Sequence, residues 1–235
     1  MSGHSKWATT KRAKAVTDAK RSNLFTKLAN TISVAAREGA DAEMNFKLRI
    51  AVDRARSLSM PKDNIQRAIA RGAGLDGENQ LENITYEAYG PEGVGLIIET
   101  VTDNRNRTVS NLKHVLSKHG GTLGGAGSVI WQFELKGVIT LAKCSLSEEQ
   151  QLNLIDAGAE DFIFADDATQ IISESHGLQK LKKLLVDLNL TIKDTGLEYR
   201  AKELIAPSNP QAITELLEIL DDQEDVHNIF TNADV

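Results

Sequence analysis

The sequence contains few of the residues that build disulfides, metal sites and catalytic nucleophiles. Cys144 is the single cysteine among 235 residues, so no intramolecular disulfide can form, as is typical of proteins of a reducing cytosol. None of the five histidines belongs to a His-Glu-x-x-His motif, and Cys144 has no second cysteine at C-x-x-C spacing. We therefore predict no metal, no cofactor, no catalytic residue and no enzymatic activity.

Long hydrophobic segments are missing as well. No apolar run approaches the roughly 18 residues that a membrane span needs. The first seven residues, MSGHSKW, lack the apolar core of a secretory signal. We therefore expect a cytoplasmic protein without a membrane partner.

Charge of each sign is unevenly distributed along the chain. Residues 1–75 contain 15 Lys and Arg and 6 Asp and Glu, a net charge of +9, whereas residues 76–235 have a net charge of −15. The first 17 residues contain no Asp or Glu. A basic segment on an acidic protein indicates nucleic-acid binding, because each Lys or Arg that neutralises a phosphate releases a counterion.

The apolar pattern of the first third predicts three helices. Apolar residues recur every three to four positions over 17–39, 45–57 and 61–72. The Gly-rich segment 72–80 is interpreted as a linker. Residues 1–80 are therefore predicted to form a basic helical domain that begins with a polar arm.

The remaining residues change to a pattern of strands and helices. Segment 138–193 has the order β-α-β-β-α-β, which is the ferredoxin-like unit. The segments on either side, 94–135 and 203–230, together repeat that order. We therefore predict an α+β protein of three domains, in which an all-helical N-terminal domain precedes two ferredoxin-like α/β domains, one inserted in the other. The predicted ranges are 1–80 for the helical domain, 81–136 with 203–235 for the first α/β domain, and 137–202 for the inserted domain.

We also predict the backbone conformation of two segments that precede the inserted domain. The Gly-rich segment 120–127 is not a phosphate loop, because no Lys follows it and it leads into a strand, so it is interpreted as a tight backbone path or a mobile loop. The next segment, 128–135, is predicted to be a strand with Val129, Trp131 and Phe133 on one face.

The arm and the first helical turns carry the main candidate site. Clustered cations bind phosphates, and a tryptophan among them can stack on a base. The alternative interpretation is a solvated tail that aids solubility, which a protein that is acidic elsewhere hardly needs. The candidate nucleic-acid-binding residues here are Ser5, Lys6, Trp7, Lys11, Arg12, Lys14, Lys20 and Arg21.

Arg105 and Arg107 are a second candidate site. They lie in the first turn of the helix predicted at 104–118, where the helix dipole disfavours cations. We expect Asp103 to cap this helix, and the unusual cations to contact an external anion or to pair with acidic residues of the second domain, for example Glu134 or Glu203. For six cations of the helical domain, phosphate binding and simple coverage of its core both remain open. These are Lys47, Arg49, Arg54, Arg56, Arg67 and Arg71.

Several motifs spread along the chain resemble the YebC/PmpR family. They include Gly3-His4-Ser5-Lys6-Trp7, Met60-Pro61-Lys62-Asp63-Asn64-Ile65, Ser117-Lys118-His119-Gly120-Gly121, Gly158-Ala159-Glu160-Asp161 and the closing Asn232-Ala233-Asp234. The resemblance implies a helical N-terminal domain and two α/β domains that enclose a concave surface. It also implies a bacterial cytoplasmic protein, since bacterial members are described as probable DNA-binding transcriptional regulators and a mitochondrial relative as a translational activator.

Three functional hypotheses follow. The first is a DNA-binding transcriptional regulator, and the second is a ribosome-associated translation factor that binds ribosomal RNA and relieves stalling, because an arm with an aromatic residue suits folded RNA as well as a duplex. The third, of another class, is a ligand-sensing or protein-docking module. We expect DNA or ribosomal RNA as partner, no small-molecule substrate, and a monomer or weak dimer.

Overall fold

The computed structural model describes residues 18–75, 81–165 and 168–235, with the backbone alone for residues 18–21 and 57. Within these residues it contains helices and two antiparallel sheets, so the predicted α+β class is confirmed. None of its helices is long and apolar enough to cross a membrane. The predicted arm, the last part of the linker and the pair Asp166-Asp167 lie outside the described residues.

The N-terminal unit consists of helices α1 (Asp18–Ala36), α2 (Phe46–Ser57) and α3 (Lys62–Gly72). The Asn45 amide joins the first two, because it donates to the carbonyl oxygens of Ala35 and Gly39, at 2.7 and 2.8 Å, while its oxygen caps α2. A Cβ at Gly72 would lie 2.1 Å from the Ser33 carbonyl oxygen, so only glycine permits the close approach of α3 to α1. The buried core of this unit includes Leu28, Ile32, Leu48, Ala55 and Ile65.

The first α/β unit comprises β1 (Glu82–Tyr89), β2 (Gly95–Thr102), α4 (Arg105–Lys118), β3 (Thr122–Leu123), α7 (Pro210–Asp221) and β8 (Val226–Thr231). Its strands form a sheet in the order β3-β1-β2-β8, and its helices pack on one face of that sheet. Leu96 and Ile98 of β2 pack with apolar residues of α4 and α7 in one core. The opposite face of the sheet contacts the helical unit and the inserted unit.

The order predicted for 94–135 and 203–230 needs a strand at residues 203–206, and this part of the prediction is wrong, because neither sheet contains such a strand. Its place in the ferredoxin-like order is taken by β1, which forms an eight-residue antiparallel hairpin with β2, whereas Ile205 makes only an isolated parallel bridge to Ala233. A local hairpin closes a short loop at small entropic cost. The competing segment is four residues long and is followed by Pro207, which cannot donate to a ladder.

The inserted unit has the predicted β-α-β-β-α-β order. It comprises β4 (Phe133–Ala142), α5 (Glu148–Asp156), β5 (Ala159–Phe164), β6 (Ala168–Glu174), α6 (Leu178–Asp187) and β7 (Ile192–Ala201). The sheet order β5-β6-β4-β7 with all pairs antiparallel is that of a ferredoxin-like unit. Strand β4 runs through the proposed boundary at 136/137, and the domain ranges stay a prediction.

The strand predicted at 128–135 is wrong for residues 128–132. Residues Ile130–Gln132 form a 3-10 turn, and the strand begins only at Phe133. Val129 and Phe133 are buried as expected, but the side chain of Trp131 is 64% exposed, because the alternation of a strand does not apply to a turn. Tyr199 and Phe230 pack edge to face at 5.4 Å and join the two sheets beside this turn.

Candidate nucleic-acid interface

The predicted arm residues fall at the edge of the described part of the chain. Ser5, Lys6, Trp7, Lys11, Arg12 and Lys14 lie outside it, and Lys20 and Arg21 lie in the first turn of α1, where only the backbone is described. Asn23, two residues after Arg21, is among the first residues of α1 whose side chain is described. Its side chain donates to the carbonyl oxygen of Asp222 at 2.9 Å.

The start of α1 and the start of α4 line one cleft. Asn23, Arg107, Asn111 and Gln223 line one cleft of about 350 Å³ between the start of α1, the start of α4 and the turn before β8. Asn23 and Arg107, which are 84 residues apart in sequence, thus line one cleft. The rest of the cleft is acidic, with Asp222, Glu224 and Asp225.

Arg107 is engaged within the first α/β unit. Its guanidinium lies 3.0 Å from the Asp225 carboxylate and 2.9 Å from that of Asp103. The hydrogen bond to Asp225 is the main reason why the pKa of Arg107 is raised above its usual value. These carboxylates offset the unfavourable helix dipole, so the reason that we gave for an external anion does not apply to Arg107.

Asp103 does not cap α4, contrary to the prediction. The cap is Asn104, whose side-chain oxygen accepts a hydrogen bond from the Arg107 N–H at 3.1 Å. Asp103 instead pairs with Arg107 and, at 3.4 Å, with Arg71 of α3. The two proposed partners of the arginines in the acidic domain, Glu134 and Glu203, form no described ion pair with them.

Arg105 differs from Arg107, because its side chain is exposed and forms no described ion pair. It lies beside Tyr86 of β1. Burial raises the pKa of the Tyr86 hydroxyl, and the charge of Arg105 opposes that rise in part. Of the two predicted arginines, Arg105 is thus the one whose charge faces solvent.

Some cations of the helical unit hold it against the first α/β unit. Lys27 of α1 bonds to the carbonyl oxygen and, at 3.2 Å, to the carboxylate of Asp221, and Arg71 pairs with Asp103. Lys27 and Arg71 are both largely buried by these contacts. The remaining cations of α2 and α3 are exposed, namely Lys47, Arg49, Arg54, Arg56, Lys62 and Arg67.

A partly buried histidine, His227, lies at this junction. His227 of β8 lies where the helical unit covers the sheet, in a cleft of about 500 Å³ that Thr31 and Lys47 also line. Burial lowers the pKa of His227 to about 4, with further lowering by the charges of Lys27 and Arg54. The neutral imidazole is thus the form that the folded protein favours near pH 7.

Sequence reasoning missed a buried carboxylate that organises the Gly-rich segment. Glu87 of β1 accepts hydrogen bonds from the backbone N–H groups of Gly127, Val129 and Ile130, at 2.6, 2.6 and 2.7 Å. The path is therefore tight, as one of our two interpretations held. The available signal was the acidic residue in a strand whose neighbour Ala88 is fully buried.

In the described part of the chain, no group of three or more His, Cys, Asp and Glu side chains could hold a metal ion. Cys144 packs beside the core of the inserted unit, and its carbonyl oxygen accepts a hydrogen bond from Thr169 at 3.1 Å. We build the functional proposal on the exposed cations of α2 and α3 and on Arg105.

Known proteins share both the sequence and the fold of this chain. Residues 5–75 match the TACO1/YebC protein N-terminal domain, and residues 81–233 match the TACO1/YebC second and third domain. Proteins named "probable transcriptional regulatory protein" from Chloroflexus aggregans and Chlorobium chlorochromatii are 46% and 45% identical, each over 100% of this chain and 96% of the relative. A conserved hypothetical protein from Aquifex aeolicus has a crystal structure that matches with a TM-score of 0.82 and 38% identity, over 97% of this chain and 96% of that one.

Proposed function

The chain belongs to the TACO1/YebC family, and from this premise we propose that it is a non-enzymatic, nucleic-acid-binding regulator of gene expression, acting as a DNA-binding transcriptional regulator. The names of its relatives support a role in regulation. The proposal includes a cytoplasmic location, no small-molecule substrate, and a monomer or weak dimer.

The observation that carries this proposal is the separation of charge between the parts of the chain. Residues 1–75 have a net charge of +9 and the remainder has −15. Lys27 and Arg71 are used to dock the helical unit, but most cations of α2 and α3 face solvent, and the arm adds more. A polyanion is attracted to this end of the molecule and repelled from the other, so binding is directed to the helical unit.

We propose that the arm makes the first contact. Asn23, which follows the arm in α1, lines the same cleft as the partly exposed Arg107, and the exposed Arg105 precedes Arg107 by two residues in the first turn of α4. A phosphate backbone that is bound by the arm would therefore pass close to Arg105, which we keep as a proposed contact. Arg107 would act there mainly by orienting Asp103 and Asp225, to which it is paired.

Ribosomal RNA is the second candidate partner. The acidic two thirds of the chain disfavour a protein that wraps along a duplex, and they suit one that inserts a basic arm into a folded target. Trp7 in the arm could stack on an unpaired base, which folded RNA offers and an intact duplex does not. A ribosome-associated translation factor is thus the alternative function.

Crosslinking of the full chain in cells, followed by sequencing of the bound nucleic acid, tests the proposal and separates its two forms. Enrichment of discrete DNA regions supports a transcriptional regulator, and enrichment of ribosomal RNA supports the alternative. A variant in which Lys6, Lys11, Arg12 and Lys14 are replaced by Gln is the matched control, because it should lose the crosslinks. Recovery of neither nucleic acid above this control would contradict the proposed function.

A further inference from the structure

The ring of Phe46 in the helical unit contacts a lysine of the inserted unit. Phe46 lies in the first turn of α2, and its side chain is 48% exposed. The ammonium nitrogen of Lys182, on α6 of the inserted unit, lies 4.0 Å from the centre of the ring. The Arg49 guanidinium, one turn further along α2, lies 5.5 Å from the same centre. Two cations from two units of the protein therefore share one ring.

The charges at this ring are not balanced by carboxylates. Among the described residues, Arg49 and Lys182 form no ion pair, whereas the neighbouring Lys47 is paired with Glu38 at 2.6 Å. Burial is the one cause that lowers the pKa of Lys182. The face of an aromatic ring attracts a cation but does not neutralise it, so the repulsion between the two cations remains. An anion placed between them would remove that repulsion.

The segment of the inserted unit that contacts the ring is basic and apolar, although it belongs to the acidic part of the chain. Residues 175–186 contain three lysines and no acidic residue. Ile50 follows Phe46 by one turn of α2, and Val186 follows Lys182 by one turn of α6, and both are exposed. Cations beside exposed apolar groups match a nucleotide, which offers a phosphate for the charges and a base or sugar face for the apolar side chains.

We propose that Phe46, Arg49 and Lys182 form a second nucleic-acid contact, at which the sugar–phosphate backbone lies across the junction of the helical and inserted units. This inference rests on the proposed function, since it concerns the same partner at a site distant in sequence from the arm. One phosphate contacts the Arg49 guanidinium and the Lys182 ammonium together. The contact holds both units on one nucleic acid, and the acidic remainder of the inserted unit stays turned away from it.

Lys182 and Lys183 provide a matched pair of variants for the test. Both are lysines of α6, but successive residues of a helix point about 100° apart, and Lys183 is exposed without a described ion pair or ring contact. The full chain, Lys182→Gln, Lys183→Gln and Arg49→Gln are titrated with a labelled hairpin RNA and with a DNA duplex over a range of salt concentrations. Thermal melts of each variant check that it is folded.

We expect Lys182→Gln and Arg49→Gln each to make the negative slope of log K against log salt shallower by roughly 0.7–0.9. This is the value for one lost phosphate contact. Lys183→Gln should change the slope by much less. Phe46→Leu keeps the apolar bulk and the number of cations, so it should weaken binding while leaving the slope near that of the unchanged protein.

Equal slopes for Lys182→Gln and Lys183→Gln, with binding by the unchanged protein intact, would overturn the inference. The contact between Phe46 and Lys182 would then only hold the helical unit against the inserted unit. Absence of salt-dependent binding by the unchanged protein would be a different failure, because it would remove the proposed function and this site together.

Discussion

Glu87 and Val129 are joined by a hydrogen bond of 2.6 Å between the carboxylate and the backbone N–H, and this bond anchors the turn that presents Trp131. The same carboxylate accepts from Gly127 and Ile130, and the Tyr89 hydroxyl donates to the Ser128 carbonyl oxygen at 2.6 Å. A single buried acid thus determines the path of an uncharged, Gly-rich segment.

Replacement of Glu87 by Gln should destabilise the protein by about 2–3 kcal/mol, because an amide cannot accept all three bonds and its own N–H groups would face donors. Chemical denaturation at pH 7 measures this change. Thr85→Val, at an exposed position of the same strand, serves as the control and should have a small effect. A variant Glu87→Gln as stable as the unchanged protein would contradict the role assigned to the carboxylate.

The same residue predicts a dependence on pH. Burial alone would raise the pKa of Glu87, but the N–H groups of Val129, Gly127 and Ile130 together lower it below its usual value. A lowered folded pKa means that the stabilisation is present above the unfolded pKa, about 4.3, and is lost as the pH falls through the lower folded value. The stability difference between the unchanged protein and Glu87→Gln should therefore shrink below about pH 4. A stability difference between the two proteins that stays constant from pH 6 to pH 3 would contradict a lowered pKa of Glu87.

Arg105 and Arg107 should respond differently to replacement by Gln. Arg107→Gln breaks the pairs with Asp103 and Asp225, and since Arg107 is 48% exposed we expect a loss of stability of only about 0.5–1 kcal/mol. Arg105→Gln should leave the melting temperature unchanged and weaken binding to nucleic acid. Melts and binding titrations on the two single variants test this, and a destabilised Arg105→Gln with unchanged binding would make Arg105 a structural residue.

His227 should make the junction of the helical unit sensitive to mild acid. Its folded pKa of about 4 lies below the unfolded value of about 6.5, so the stability present above pH 6.5 is lost as the pH falls towards 4. The full effect is about 3 kcal/mol, at roughly 1.4 kcal/mol for each unit of pKa. His227→Gln should flatten the stability curve between pH 6.5 and 4, whereas His114→Gln, at an exposed position of α4, should leave it unchanged. Identical curves for the two variants would refute the assignment.

Local patterns predicted the helices and the inserted unit well. The apolar spacing of 45–57 identified α2, because the buried face is encoded within a few residues. The structure adds that Asn45, which we predicted as the first helical residue, is the cap. The β-α-β-β-α-β order of the inserted unit was read in the same way.

The failures involve contacts between residues far apart in sequence. The turn at Trp131 depends on Glu87, more than 40 residues earlier. The ion pair of Arg107 with Asp225 and the approach of Lys182 to Phe46 also bridge distant parts of the chain. No periodicity or propensity within a short window reports such pairs.

The salt dependence of binding tests the central claim most directly, namely that the basic N-terminal end carries the phosphate contacts. The full chain is compared with a chain that begins at Ser22 and with a full-length variant in which Lys6, Lys11, Arg12, Lys14, Lys20 and Arg21 are replaced by Gln. Six cations account for a slope of up to about −5 in log K against log salt on a duplex, at roughly −0.9 for each contact. We predict that both altered chains lose most of that slope, and equal slopes for all three proteins would contradict the claim.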